Sequence, residues 1–187
     1  MTSTSHRSQL THPGSPVHPA TATPGQSEVH AMIVLVDSVA DVVRETGGWL
    51  CDRVWAGWDV TAWVPADCDT TPLRILGVTA TALGDGRDDL WPGRRPTALA
   101  IGSDMSWLPH RIGAKIDALM HNPRTEVTVW GERRSAPDNR LHDVQHRLST
   151  AAIAFKTQAM LAASLAGTCG STETFRNYAP RLAVGLQ

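Results

Sequence analysis

The sequence lacks the charge imbalance that marks many proteins that bind nucleic acids or acidic membranes. Its 187 residues carry a formal net charge of -1, from 17 basic and 18 acidic side chains. The arginines between positions 124 and 147 are interleaved with acidic residues that largely neutralise them. Because no strong field is available to attract a polyanion, nucleic acid is not predicted as a partner.

Cysteine is scarce, and this argues against a zinc or redox motif. The three cysteines, Cys51, Cys68 and Cys169, lie far apart and none belongs to a CxxC pair, the pair that begins many such motifs. Cys169 stands in the phrase GTCGS, where a nucleophile elbow would have its nucleophile. That elbow needs a preceding strand, whereas a helix is predicted there. We therefore predict reduced, structural thiols.

Long hydrophobic runs are also absent. The first 30 residues contain no continuous apolar stretch of the roughly 7 residues that a secretory signal requires. The longest early apolar run covers 31–36, far below the roughly 20 residues needed to cross a bilayer. We predict a soluble, cytoplasmic protein with no membrane-spanning segment.

The chain divides into a tail and one domain. Residues 1–30 are rich in serine, threonine, proline and histidine and show no apolar periodicity. Ordering them would cost backbone entropy that no burial offsets. We predict a disordered tail over 1–30 and a single α/β domain over 31–187, a length that suits one domain.

Hydrophobic patterning predicts alternating strands and helices. The predicted strands are short apolar or alternating runs at 31–36, 59–65, 73–78, 98–102 and 126–130. The predicted helices are amphipathic segments at 39–58 and 108–119 and a long segment at 141–166. Gly47 and Gly48 fall inside the first helix, where glycine is unfavourable, so we interpret them as a point of close packing.

This order of elements predicts a three-layer α/β fold, with a mostly parallel sheet of about five strands and flanking helices. The first β-α-β unit is Rossmann-like. The glycine-rich GxGxxG turn that binds a dinucleotide must follow the first strand directly, but VDSVAD stands there. No cofactor is therefore predicted.

Two histidines in the predicted long helix are candidate metal ligands. His142 and His146 are four residues apart, with Asp143 beside the first, a spacing similar to that of the HExxH zinc motif. The predicted buried stripe contains Val144 and Leu148, so both histidines would point to solvent. A solvated surface pair is the favoured interpretation, and no metal site is predicted.

The candidate site follows from the fold, because ligands bind beyond the carboxyl ends of parallel strands. Polar residues follow four of the predicted strands at that edge. They are Asp37, Ser38, Asp67, Ser103, Asp104 and Glu132. The alternative interpretation is that these residues only form turns and helix caps.

The sequence contains no complete catalytic constellation. The favoured hypothesis is therefore a non-catalytic module that binds a small molecule or a protein partner. The alternative is an enzyme that performs cation-assisted phosphoryl transfer or hydrolysis at the carboxyl ends of the strands. The apolar segment 151–166 adds the hypothesis of a homo-oligomer.

Overall fold

A computed structural model describes residues 30–83, 95–104, 106–131 and 140–178. The predicted tail, apart from His30, lies outside the described residues. In chain order the elements are β1 (Ala31–Leu35), α1 (Val39–Trp55), β2 (Asp59–Val64), α2 (Thr71–Ile75), β3 (Thr79–Ala82), β4 (Ala98–Gly102), α3 (His110–Met120), β5 (Glu126–Trp130), β6 (Leu141–Arg147), α4 (Thr150–Ala162) and β7 (Thr172–Tyr178). They form a mixed α/β fold around one sheet.

The sheet has seven strands among the described residues, in the order β3-β2-β1-β4-β5-β7-β6. β1 to β5 pair in parallel, whereas β7 runs antiparallel to both β5 and β6. The prediction of a mostly parallel sheet of about five strands is therefore wrong in strand number and in omitting the antiparallel strand β7, which makes the sheet mixed. Neither β6 nor β7 was predicted as a strand.

The core lies on both faces of the sheet. On one face, buried residues of α1, α2 and α4 pack against alternate residues of β1, β2 and β4. On the other face, Ile112, Ile116 and Leu119 of α3 pack against the intervening strand residues, such as Ile33 and Leu35. The predicted pattern of buried strands with amphipathic helices on them is confirmed for β1, α1, β2, β4, α3 and β5.

The segment predicted as a strand at 73–78 is wrong. Pro72 lies at the start of α2, where its fixed φ favours a helix. Gly77 has a φ of +79°, which ends the helix and directs the chain into β3. The apolar residues Leu73 and Leu76 are buried, as predicted, but in a helix and at its C-cap rather than on a strand.

The predicted long helix at 141–166 is also wrong in its first part. Leu141–Arg147 is the edge strand β6, which pairs with β7 over its whole length. The helix α4 begins only after Ser149, whose side chain accepts a hydrogen bond from the Ala152 N–H. A serine cap of this kind is a strong helix start.

Candidate functional site

The strand order identifies one place on the sheet where a ligand crevice forms. From β1 the chain continues outward through β2 and β3, then returns to place β4 on the other side of β1. The loops after β1 and β4 therefore leave in opposite directions, and a crevice opens between them. This switch point lies at the carboxyl ends of β1 and β4.

The pairing register brings two predicted residues to that point. Leu35 of β1 pairs with Ile101 of β4. Asp37 lies two residues after Leu35, and Ser103 lies two residues after Ile101. Neighbouring strands are about 4.8 Å apart. Asp37 is exposed, and the backbone N–H of Ser103 donates to the Trp130 carbonyl at 2.8 Å, which holds the end of β4 against β5.

Ser38 and Asp104 complete the polar groups at this edge. The Ser38 side chain accepts a hydrogen bond from the Asp41 N–H at 3.3 Å and so caps α1. The Asp104 carboxylate accepts one from the Ser106 N–H at 2.9 Å. Both side chains therefore stabilise the local backbone at the same edge.

Gly131 lets the chain approach Ser103 closely. A Cβ built on this residue would lie 3.1 Å from the Ser103 Oγ, and its φ is +87°. The positive φ favours glycine, and a Cβ would press against the Ser103 hydroxyl. The loops after β4 and β5 are therefore in close contact beside the switch point.

The other two predicted residues stand apart from the switch point. Asp67 follows β2, one strand further out, and is exposed with a φ of +64°, a conformation typical of a turn. Glu132 lies outside the described residues. The described structure thus brings Asp37, Ser38, Ser103 and Asp104 to one edge of β1 and β4.

A buried ion pair was missed by sequence reasoning. The Lys156 ammonium of α4 lies 2.6 Å from the Glu173 carboxylate of β7 and donates to the Arg44 carbonyl at 2.7 Å. Glu173 also accepts the backbone N–H groups of Gly48 and Trp49, each at 2.8 Å. A lysine within the apolar part of α4 was the one sequence signal for it.

This ion pair borders a cavity of about 340 Å³. The cavity lies between α1, α4 and the start of β7, and its lining includes Arg44, Glu45 and Cys169. Both oxygens of Glu173 are already hydrogen-bonded. The pair therefore serves first to hold three elements together, as buried charges require partners.

The thiols are poor nucleophiles. Burial raises the pKa of Cys51 to about 11, and it also raises the pKa of Cys68 and of Cys169. Since the thiolate is the reactive form, none of the three is activated. All three are free.

The histidines of the supposed HExxH-like pair have a different setting from the one predicted. They lie on the strand β6, not on a helix. His142 is exposed, whereas the His146 Nε2 contacts the Asp52 carboxylate at 2.8 Å and is only partly exposed. In the described ranges no three His, Cys, Asp or Glu side chains lie together as a metal centre.

No described helix is long and apolar enough to cross a membrane.

No protein-family model matches the sequence, and no curated relative does. Solved structures do match. The fold is similar to that of known deacetylases. The A40926 pseudoaglycone deacetylase Dbv21 superposes with a TM-score of 0.55 at 13% identity, over 84% of this chain and 100% of that chain.

Two further structures of the same kind match. The zinc-inhibited form of teicoplanin deacetylase Orf2 superposes with a TM-score of 0.54 at 12% identity, over 80% of this chain and 98% of that chain. A deacetylase–teicoplanin complex superposes with a TM-score of 0.52 at 12% identity, over 79% of this chain and 97% of that chain. These enzymes share the fold, which contradicts the hypothesis of a non-catalytic binding module.

Proposed function

We propose that the chain is a hydrolase that removes an acyl group from an amine, with its site at the carboxyl ends of β1 and β4. The observation that carries the proposal is the fold shared with deacetylases over 79–84% of the chain. The polar residues at the topological switch point support its location. The alternative hypothesis from the sequence is an enzyme for phosphoryl transfer or hydrolysis, and the shared fold favours hydrolysis.

Two carboxylates are the reacting groups of the proposal. Asp37 and Asp104 follow adjacent strands, and amide hydrolysis needs one group that takes a proton and one that gives a proton. One carboxylate removes a proton from water, whose oxygen attacks the acyl carbon. The other carboxyl group gives a proton to the nitrogen as the carbon–nitrogen bond breaks. The products are a carboxylic acid and an amine.

Backbone groups at the same edge suit the oxyanion of the intermediate. α1 begins there with Val39, and the first turn of a helix presents N–H groups and a partial positive charge. Such preorganised donors stabilise negative charge that develops on the acyl oxygen. The proposed steps use the two carboxylates and these backbone donors.

An assay of free amine tests the proposal. The protein is incubated with N-acetylated amino sugars and N-acetylated amino acids, and the amine released is measured with fluorescamine over a range of pH. We expect turnover with a bell-shaped pH dependence. Asp37→Asn and Asp104→Asn should each lower kcat by about 10² to 10⁴.

Asp117→Asn is the matched control. Asp117 is exposed on α3, away from the switch point, so this variant should keep the activity of the natural chain. Absence of amine release from every substrate would overturn the proposed reaction. Equal activity in the Asp37, Asp104 and Asp117 variants would overturn the proposed site.

A further inference from the structure

The helix α4 exposes an apolar stripe along its outer face. The stripe consists of Ala154, Phe155, Gln158, Leu161 and Ala162, all exposed, and their spacing of three and four places them on one side of the helix. Leu161 is 66% exposed and Phe155 38%. The opposite side of α4 is buried against α1 and α2.

A large aromatic side chain extends this stripe. Trp55 at the end of α1 is 67% exposed, and its ring lies 5.8 Å from the ring of Phe155. The stripe itself carries no charged residue. A contiguous exposed apolar patch without charges is typical of an interaction surface.

The stripe is symmetric in side-chain size about Gln158. Phe155 and Leu161 lie three positions before and after it, and Ala154 and Ala162 lie four positions before and after it. In a two-fold interface, a residue i of one copy contacts residue j of the other copy, and residue j of the first contacts residue i of the second. The surface must therefore be complementary to itself. We propose that two copies of this chain pair through α4, antiparallel, with Gln158 at the two-fold axis.

In this arrangement large side chains face large ones across the interface, and small side chains face small ones. Phe155 packs against the partner's Leu161, while Ala154 meets the partner's Ala162 and lets the two helix backbones approach closely. The two Gln158 side chains lie opposite each other, where each amide can donate to and accept from the other. No like charges meet, since the stripe has none.

The exposed area limits the size of the proposed interface. Aromatic side chains bury roughly 150–250 Å² each, so the exposed parts of Trp55 and Phe155 amount to on the order of 200 Å² per copy. Doubled by symmetry, this is about a third of the lower limit of the 1,200–2,000 Å² of a stable interface. Leu161, Gln158 and the two alanines add exposed area to this. Because interfaces at the small end of the range are typically weak, we expect a dimer with a Kd on the order of micromolar.

Analytical ultracentrifugation of the full chain from about 1 μM to about 500 μM measures this equilibrium. The expected result is a monomer–dimer equilibrium that Ala154→Glu weakens at least about tenfold, because a carboxylate would be buried without a partner. Ala114→Glu is the matched control. Ala114 is an exposed alanine in the middle of α3, on the other face of the sheet, so its variant should dimerise normally.

A double variant tests the register, and its recovery of dimerisation would show that loss in Ala154→Glu does not come from misfolding. In the antiparallel pair Ala154 faces the partner's Ala162, so Ala154→Glu combined with Ala162→Lys forms two ion pairs across the interface. This double variant should recover dimerisation that Ala154→Glu loses. A chain that stays monomeric throughout, equal weakening by Ala114→Glu, or no recovery in the double variant would overturn the proposal.

Discussion

At Gly48 the structure leaves no room for a side chain. A Cβ there would lie 2.5 Å from the Leu148 Cδ1 and 3.1 Å from the Glu173 Oε1. Overpacking of this kind costs about 1–3 kcal/mol, which exceeds the roughly 1 kcal/mol that alanine gains in a helix. The sequence-based interpretation of Gly47 and Gly48 as a point of close packing is confirmed.

We expect Gly48→Ala to lower the free energy of unfolding by about 1 kcal/mol in urea titrations. Gly113→Ala provides the comparison, because a Cβ at Gly113 in α3 would meet nothing within 4 Å. That variant should raise the free energy of unfolding by about 0.5–1 kcal/mol. The same sign of change in both variants would contradict the packing argument.

Asp52 links α1 to the segment that precedes α4. Its carboxylate accepts from the Ser149 N–H at 3.2 Å and contacts the His146 Nε2 at 2.8 Å. Burial alone would raise the pKa of Asp52, but the hydrogen bonds from Ser149 and His146 outweigh it and hold the pKa below the ordinary 3.8. The ionised form is therefore stabilised more in the folded chain than in the unfolded one.

This depressed pKa predicts the pH range in which Asp52 stabilises the fold. Its contribution is fully present above the pKa of the unfolded chain, 3.8, and is lost as pH falls through the lower folded value. We expect Asp52→Asn to cost about 1–2 kcal/mol at neutral pH, with the difference shrinking below pH 3.8. Thermal unfolding of both chains across pH measures this stability difference. A difference that stays constant in acid would be inconsistent with this account.

At the scale of elements, the Lys156–Glu173 pair joins α4, β7 and α1. Both side chains are buried, at 5% and 4% exposure. Removing one charge leaves the other buried without its partner, which costs about 3–5 kcal/mol. We expect Glu173→Gln to destabilise the chain by about 3 kcal/mol in urea unfolding.

A double variant separates charge from packing at this pair. Lys156→Met combined with Glu173→Gln leaves no unpaired charge, so it should be more stable than Glu173→Gln alone. The midpoints of urea unfolding of the two variants give the comparison. If the double variant were the less stable of the two, the ion pair would not be the source of the loss.

The elements that the sequence predicted correctly are those with a buried face. β1 and β5 are buried over four of their five residues, so their apolar runs are clear. β6 is an edge strand with no buried residue, and its formation depends on pairing with β7, which no local pattern records. α2 was misread because a short apolar run fits both a strand and a helix, although Pro72 and Gly77 marked its ends.

At the scale of the whole molecule, the sequence predicts that the candidate site lies at the carboxyl ends of the strands, but it does not predict which two strands form the crevice. Polar residues after strands can be read from the sequence, whereas the switch point depends on the order β2-β1-β4, which long-range pairing determines. That order places Asp67, which follows β2, two strands away from Ser103, which follows β4. Lys156 and Glu173 were missed for a related reason, since only the packing of α4 on α1 brings them together.

The most direct test of the central claim is hydrolysis in water enriched in oxygen-18. The proposed reaction takes one oxygen atom from water into the released acid and none into the amine. Mass spectrometry of the acetate released from an N-acetylated amine should show one heavy oxygen with the natural chain, and far less acetate with the Asp37→Asn/Asp104→Asn variant. Release of no labelled acetate by the natural chain, or equal release by the variant, would contradict the account.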